Sequence, residues 1–157
     1  MQRTLVLFLT AVAVALIFSA GTSAQTIGGS IGNGGAVSRG GSSRGSIVLS
    51  IPGGLHVNSS RPESQYAIPT TVRLTTTGGA KVTGVTYPRG RNRRFQFSEN
   101  SINVYEGRVV FPFTLNVPAN FRGDTVRVRA VVRYQACTDE VCYPPRSKEV
   151  VLTAKVR

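Results

Sequence analysis

The sequence predicts an all-β protein, a sandwich of antiparallel sheets, on three observations. Apolar and polar residues alternate in several short runs after residue 45, and this period of two places every second side chain on one face of a sheet. Turn signals rich in glycine and proline separate the runs. No helical period appears after residue 24. About seven short strands joined in this way are typical of an immunoglobulin-like β-sandwich.

Residues 1–24 are predicted to be a signal peptide. Arg3 precedes an apolar run, Leu5 to Ala20, and the small residues of "GTSA" follow it. The run is shorter than the roughly 20 residues of a membrane-spanning helix. We therefore expect a periplasmic or secreted protein with no membrane span after cleavage.

Residues 25–45 are predicted to be a flexible Gly/Ser-rich linker. The segment "QTIGGSIGNGGAVSRGGSSRG" has eight glycines in 21 residues and few side chains that could form a core.

Residues 46–157 are predicted to be the folded domain. Its alternating runs start at Ile47, Val72, Val109, Val126 and Val150. The last two strands, predicted over 125–134 and 149–156, form a C-terminal hairpin, and the connection of that hairpin contains both cysteines of the chain. Loops at the end of a rigid sandwich are a common place for function.

The charge of the chain is strongly basic, with 19 Lys and Arg against 7 Asp and Glu and a net charge of +12. Such a charge favours acidic partners, and anionic envelope components are therefore candidate partners. The densest cluster comprises Arg89, Arg91, Arg93 and Arg94. Because export removes most nucleic acid targets, we do not expect nucleic acid binding.

The cysteine motif "YQACTDEVCYPP" spans residues 134–145. Two cysteines in an exported chain are expected to pair with each other. With His56 distant in sequence as the sole histidine, the chain has too few ligands for a zinc site, and neither a metal nor another cofactor is expected. Closing a loop of about six residues stabilises a fold by only about 2 kcal/mol, so a disulfide here would contribute little to the stability of the fold.

Redox activity needs an accessible sulfur and a thiolate of suitable pKa. Arg133 and Arg146 flank the loop and would favour a thiolate, whereas Asp139 and Glu140 would oppose it. The residues alone therefore leave a static disulfide and an exchanging disulfide equally open.

The motif resembles the active-site hairpin of the DsbD N-terminal domain family, which has a Tyr-Gln-x-Cys … Cys-Tyr/Leu-Pro-Pro pattern. The resemblance extends over residues 46–156 through pieces in the family's order: "GLHVNSSRP" at 54–62, "YAIPT" at 66–70, "VTYP" at 85–88, "FQFSEN" at 95–100 and "VYEGRVVF" at 104–111.

This resemblance implies an immunoglobulin-like domain that relays electrons from a thioredoxin-like domain to other periplasmic redox proteins. Cys137 and Cys142 match the family's cycling pair, with Cys142 forming the mixed disulfide and Cys137 resolving it. A cap loop shields the family's pair, and Phe97 is the expected cap here, with Phe95 as the alternative. The residues that match the family's pocket are Tyr134, Gln135, Tyr143, Pro144 and Pro145.

Two further expectations follow. The electron-conducting membrane domain and the C-terminal thioredoxin-like domain of full-length family members have no counterpart in this sequence, so the reductant is expected to come from another protein. His56 lies away from the cysteine motif in sequence and is expected to be a structural, hydrogen-bonded residue. The alternative to electron relay is a binding or structural module with a static disulfide and a basic surface that attracts polyanions.

Overall fold

The computed structural model describes residues 24–157, and the predicted signal peptide lies outside the described residues except for Ala24. The described chain contains strands and no helix. The strands are β1 Thr26–Ile31, β2 Ala36–Val37, β3 Ser42–Ser50, β4 His56–Asn58, β5 Thr71–Thr76, β6 Lys81–Thr83, β7 Arg91–Arg93, β8 Ile102–Tyr105, β9 Arg108–Asn116, β10 Thr125–Tyr134, β11 Ala136–Cys137 and β12 Arg146–Val156.

The strands form three four-stranded sheets. The first has the order β1-β3-β9-β6, the second β2-β12-β10-β5 and the third β11-β4-β8-β7. Neighbouring strands are antiparallel except for β12 and β2, which run parallel. The all-β, immunoglobulin-like prediction is confirmed.

The main core lies between the first two sheets. Alternate residues of β3, β9, β10 and β12 point into it, among them Leu49, Phe111, Val128 and Leu152. This burial confirms the period-two interpretation, because the intervening residues of the same strands are largely exposed. The predicted C-terminal hairpin is the β10–β12 pair, in which Tyr134 lies opposite Arg146.

The segment 25–45 differs from the predicted flexible linker. Strand β1 pairs with β3 along its whole length, from Thr26 opposite Ser50 to Ile31 opposite Gly45. Gly29 allows β1 to approach β3 closely, because a Cβ atom at this position would lie 2.2 Å from the backbone oxygen of Ser46. The high glycine content here therefore allows close strand contact, and the folded unit begins before residue 46.

The third sheet is small and carries the cysteine motif. Its strand β11 pairs with β4, which pairs in turn with β8. A second hydrophobic cluster of Phe95, Ile102 and Val104 packs on it. The motif connects β10 and β12 in sequence, but its own strand β11 is paired with β4 of the third sheet.

Candidate functional site

A disulfide joins Cys137 and Cys142, whose Cα atoms are 4.0 Å apart. Cys137 ends β11 and lies opposite His56 of β4 in the ladder, while Cys142 forms an isolated antiparallel bridge with Cys137. The pair therefore closes a short loop at the end of the β10–β12 hairpin, and β4 fixes one side of that loop.

Hydrogen bonds hold the loop independently of the disulfide. The Thr138 amide donates to the Val141 carbonyl at 2.8 Å, and the Tyr143 amide donates to the Ala136 carbonyl at 2.8 Å. The Thr138 hydroxyl accepts from the Val141 amide at 3.1 Å. Because these bonds do not involve sulfur, they can persist when the disulfide opens.

Gln135 connects the loop to its surroundings. Its Oε1 atom accepts from Asn58 Nδ2 at 3.0 Å and from the Ile68 amide at 3.3 Å. Its Nε2 atom donates to the Tyr143 carbonyl at 3.3 Å. One side chain thus ties the cysteine loop to β4 and to the segment before β5.

Tyr134 and Tyr143 border the loop on its other side. Tyr134 is buried, and its hydroxyl donates to Gln25 Oε1 at 3.4 Å. Burial raises the pKa of Tyr134, and Arg146 partly opposes this rise. Tyr143 and Pro144 line a cavity of about 450 Å³ together with Tyr134, whereas Pro145 is exposed next to them.

The two sulfur-bearing residues differ in exposure. Cys137 is 0% exposed. Cys142 is half-buried and lines a cavity of about 170 Å³, to which Tyr66, Phe97 and Gln135 also contribute. The geometry therefore offers Cys142, and not Cys137, to a molecule that approaches from solvent.

Three rings form a stack over this end of the third sheet. The Phe95 ring lies 4.2 Å from the His56 ring and 5.2 Å from the Phe97 ring, centroid to centroid, and both pairs are nearly parallel. Phe95 is buried, whereas Phe97 is 41% exposed and lies on the cavity that Cys142 lines. Phe97 thus lines the cavity, and Phe95 lies between the rings of His56 and Phe97.

Arg93 contacts both the Phe95 ring and the cysteine loop. Its Nη1 atom lies 2.5 Å from Glu106 Oε1, and its Nη2 atom lies 3.7 Å from Asp139 Oδ1. Its guanidinium carbon is 5.7 Å from the centre of the Phe95 ring. Each contact is weak by itself because the groups are partly solvated.

His56 differs from its prediction in its hydrogen bonding. It is 2% exposed and lies directly opposite Cys137, although 81 residues separate the two in sequence. Its Nε2 atom is buried and has no hydrogen-bond partner within residues 24–157. Burial lowers the pKa of His56; Asp139 and Glu106 oppose this, and Arg93 adds to it. The pairing of β4 with β11 brings His56 opposite Cys137, and the sequence gives no signal for this strand pairing.

Three observations concern cofactors, membranes and the arginine cluster. Across residues 24–157, no group of three or more His, Cys, Asp or Glu side chains is placed to hold a metal ion. In the same range, no helix is long and apolar enough to cross a membrane. Arg89, Arg91 and Arg94 are exposed, while Arg93 pairs with carboxylates. Binding of anionic envelope components stays a prediction.

Comparison with known proteins identifies the family. The family model described as "Thiol:disulfide interchange protein DsbD, N-terminal" matches residues 36–154. The chain belongs to the DsbD N-terminal domain family. The resemblance seen in the motif is thus confirmed. The match also includes β2 and the first four residues of β3, which lie within the predicted linker. A search of curated proteins finds no match.

Two solved structures are similar to this DsbD N-terminal-like chain. The N-terminal periplasmic domain of ScsB from Proteus mirabilis has a TM-score of 0.53 at 13% identity, with 85% of this chain and 47% of that chain covered. The chain thus spans about half the length of that ScsB domain. The Neisseria meningitidis DsbD N-terminal domain in the reduced form has a TM-score of 0.44 at 18% identity, with 71% and 80% covered. The ScsB similarity supports the fold.

Proposed function

We propose that this protein is a periplasmic thiol–disulfide exchange module that relays electron pairs between redox proteins through Cys137 and Cys142. The observation that carries the proposal is the disulfide between these cysteines, on a surface loop of a chain that belongs to the DsbD N-terminal domain family. Export by a signal peptide cleaved after residue 24 would place the domain in a compartment where disulfides form and persist.

The difference in exposure supports a direction of attack. A thiolate of a reduced partner attacks Cys142 Sγ, the Cys137–Cys142 bond breaks, and Cys137 keeps the electron pair. The second thiol of the same partner then attacks the partner sulfur of the mixed disulfide and displaces Cys142. The partner is thereby oxidised and the cysteine pair is reduced. Cys137 is closed to solvent and Cys142 lines an open cavity, which supports Cys142 as the mixed-disulfide residue and Cys137 as the resolving residue.

Phe97 is the proposed cap over Cys142. It lies on the cavity beside Cys142 and stacks on Phe95, which is part of the hydrophobic cluster below. A protein that enters this cavity contacts Phe97 beside Cys142, whereas the buried Phe95 can stay in place. This arrangement favours Phe97 over Phe95 as the cap.

The surface around Cys142 supports a protein as the reaction partner. Tyr66 is 85% exposed, and Val141 and Tyr143 are also exposed although they are large and apolar. Gln135 and Tyr134 fix the loop from inside, while Pro144 and Pro145 restrict the chain that follows Tyr143. An apolar rim around one reachable sulfur fits a thioredoxin-like protein or another periplasmic redox protein as partner.

Trapping tests this proposal. In Cys137→Ser the mixed disulfide on Cys142 cannot be resolved, so we expect covalent adducts with periplasmic proteins that a reductant releases. Cys142→Ser is the matched control, and we expect few adducts because Cys137 is buried. Equal or absent adducts in both variants, together with a reduction potential well below about −300 mV, would identify a static structural disulfide.

A further inference from the structure

One buried ionisable side chain next to the disulfide has no role in the exchange steps above. His56 is the sole histidine of the chain; it is buried, and its Nε2 atom has no hydrogen-bond partner among residues 24–157. Buried polar atoms in folded proteins almost always have a hydrogen-bond partner, so an unpartnered one requires an explanation.

The strand register places His56 at the less accessible cysteine. Residues directly opposite each other in an antiparallel pair project to the same face, with Cβ atoms about 4.5–5.5 Å apart. His56 and Cys137 are such a pair. The next residue of β4, Val57, projects to the opposite face and belongs to the main core. The Phe95 ring, stacked on the imidazole at 4.2 Å, restricts its orientation.

The exchange reaction requires a proton acceptor at this place. In the disulfide form neither sulfur carries a proton, so Cys137 cannot donate to His56. In the dithiol form Cys137 carries a proton, and this proton must leave before Cys137 can resolve a mixed disulfide on Cys142. Water cannot take it readily, because Cys137 is 0% exposed.

We propose that Nε2 of His56 accepts the proton of the Cys137 thiol during resolution; this role rests on the proposed exchange function. The Cys137 S–H bond breaks and the proton moves to Nε2. The Cys137 sulfur then bonds to Cys142 Sγ, and the bond between Cys142 and the partner breaks. The partner leaves as a thiolate with the electron pair, so that the cysteine pair is oxidised and the partner disulfide is reduced.

The charges around His56 fit this role. Burial keeps the imidazole neutral at neutral pH, which is the form that can accept a proton, since its pKa is lowered. The carboxylates of Asp139 in the cysteine loop and Glu106 after β8 favour the imidazolium once it forms, while Arg93 of β7 opposes it. The carboxylates thus stabilise the protonated intermediate without protonating the resting state.

Reaction of the reduced, untagged mature protein with one equivalent of 4,4′-dithiodipyridine separates the two steps. The first release of thiopyridone reports attack by Cys142, and the second reports resolution by Cys137. General-base catalysis contributes about a hundredfold or more, so we expect His56→Phe to slow the second release about a hundredfold at pH 7 and to change the first less than about twofold. In the wild-type protein, the rate of the second step should fall as the pH drops through the His56 pKa. The pH–rate profile of His56→Phe should lack this inflection.

Val57→Ala is the matched control, because it weakens the same strand on the opposite face and leaves the imidazole in place. We expect wild-type rates in both steps. An unchanged second step in His56→Phe, or an equal slowing of both steps, overturns the role of His56 but leaves the exchange function standing. Absence of the first step in the wild-type protein overturns both.

A measurement without a His56 variant tests the same proposal. The sole imidazole gives one NMR titration curve. A thiol that donates to Nε2 stabilises the neutral ring, so we expect a lower His56 pKa in the dithiol form than in the disulfide form. This difference should vanish in Cys137→Ala. Identical titrations in the two wild-type redox forms would overturn the proposal even if His56→Phe failed to fold.

Discussion

Removal of the Phe97 ring should make the disulfide far easier to reduce. The residue is 41% exposed, so roughly three-fifths of its surface is covered; its ring stacks on Phe95 and lines the cavity beside Cys142. A phenylalanine side chain can bury about 200 Å², so displacing this ring exposes about 120 Å² and costs at most about 3 kcal/mol at about 25 cal/mol per Å². If reduction requires an open cap, Phe97→Ala should accelerate it by about 10- to 100-fold.

The assay is the second-order rate of reduction by dithiothreitol, followed by the appearance of free thiols. Tyr66→Ala is the control, because Tyr66 lines the same cavity but is 85% exposed and covers little; we expect less than about a twofold change. Equal rates for Phe97→Ala and the wild-type protein would refute the cap. Acceleration by Phe95→Leu alone would assign the cap to Phe95 instead.

Three further predictions concern stability. Burial lowers the pKa of His56, so the contribution of the neutral imidazole to the free energy of unfolding is complete above the unfolded pKa of about 6.5. This contribution is lost as the pH falls below that value, by at most about 1.4 kcal/mol per pH unit. Urea unfolding at pH 7.0 and 5.5 should show the loss, and His56→Gln should remove it. Reduction of the Cys137–Cys142 bond should lower the free energy of unfolding by about 2 kcal/mol, and a loss above about 4 kcal/mol would contradict a purely local loop effect. Gly29→Ala should destabilise the fold by about 1–3 kcal/mol, because its Cβ would overlap the Ser46 oxygen. Gly28→Ala should be nearly neutral, because among residues 24–157 its Cβ would meet nothing within 4 Å beyond its chain neighbours. Equal effects would contradict the β1–β3 pairing.

The main sandwich could be predicted from the sequence because its strands bury one face each. The alternation from Val126 to Tyr134 matches β10 residue for residue, and the run after Val109 matches β9. Strand β1 could not be found in this way. Its glycines give no alternation of side chains, and it is held by backbone pairing with β3 at positions such as Gly29, where a side chain would not fit.

The cysteine pair and several residues of its pocket could be found from the motif and the family resemblance, but the contacts of His56 and Arg93 could not. His56 reaches Cys137 through the pairing of β4 with β11, and Arg93 reaches Asp139 across a gap of 46 residues. These contacts depend on which short strands join the third sheet. Strands of two or three residues carry too little pattern to specify a partner, so no rule of spacing predicts them.

The position of the disulfide explains how one domain can tolerate two redox states. Within residues 24–157, the core between the first two sheets contains neither cysteine, and its residues, such as Phe111 and Val128, are fully buried. The amide hydrogen bonds of the loop do not use sulfur, so opening the sulfur bond does not by itself break them. Since a short loop gains little stability from its cross-link, opening it costs the fold little. A disulfide that joined distant strands would stabilise the fold more and would be a poorer electron carrier, because each reduction would then destabilise the whole domain.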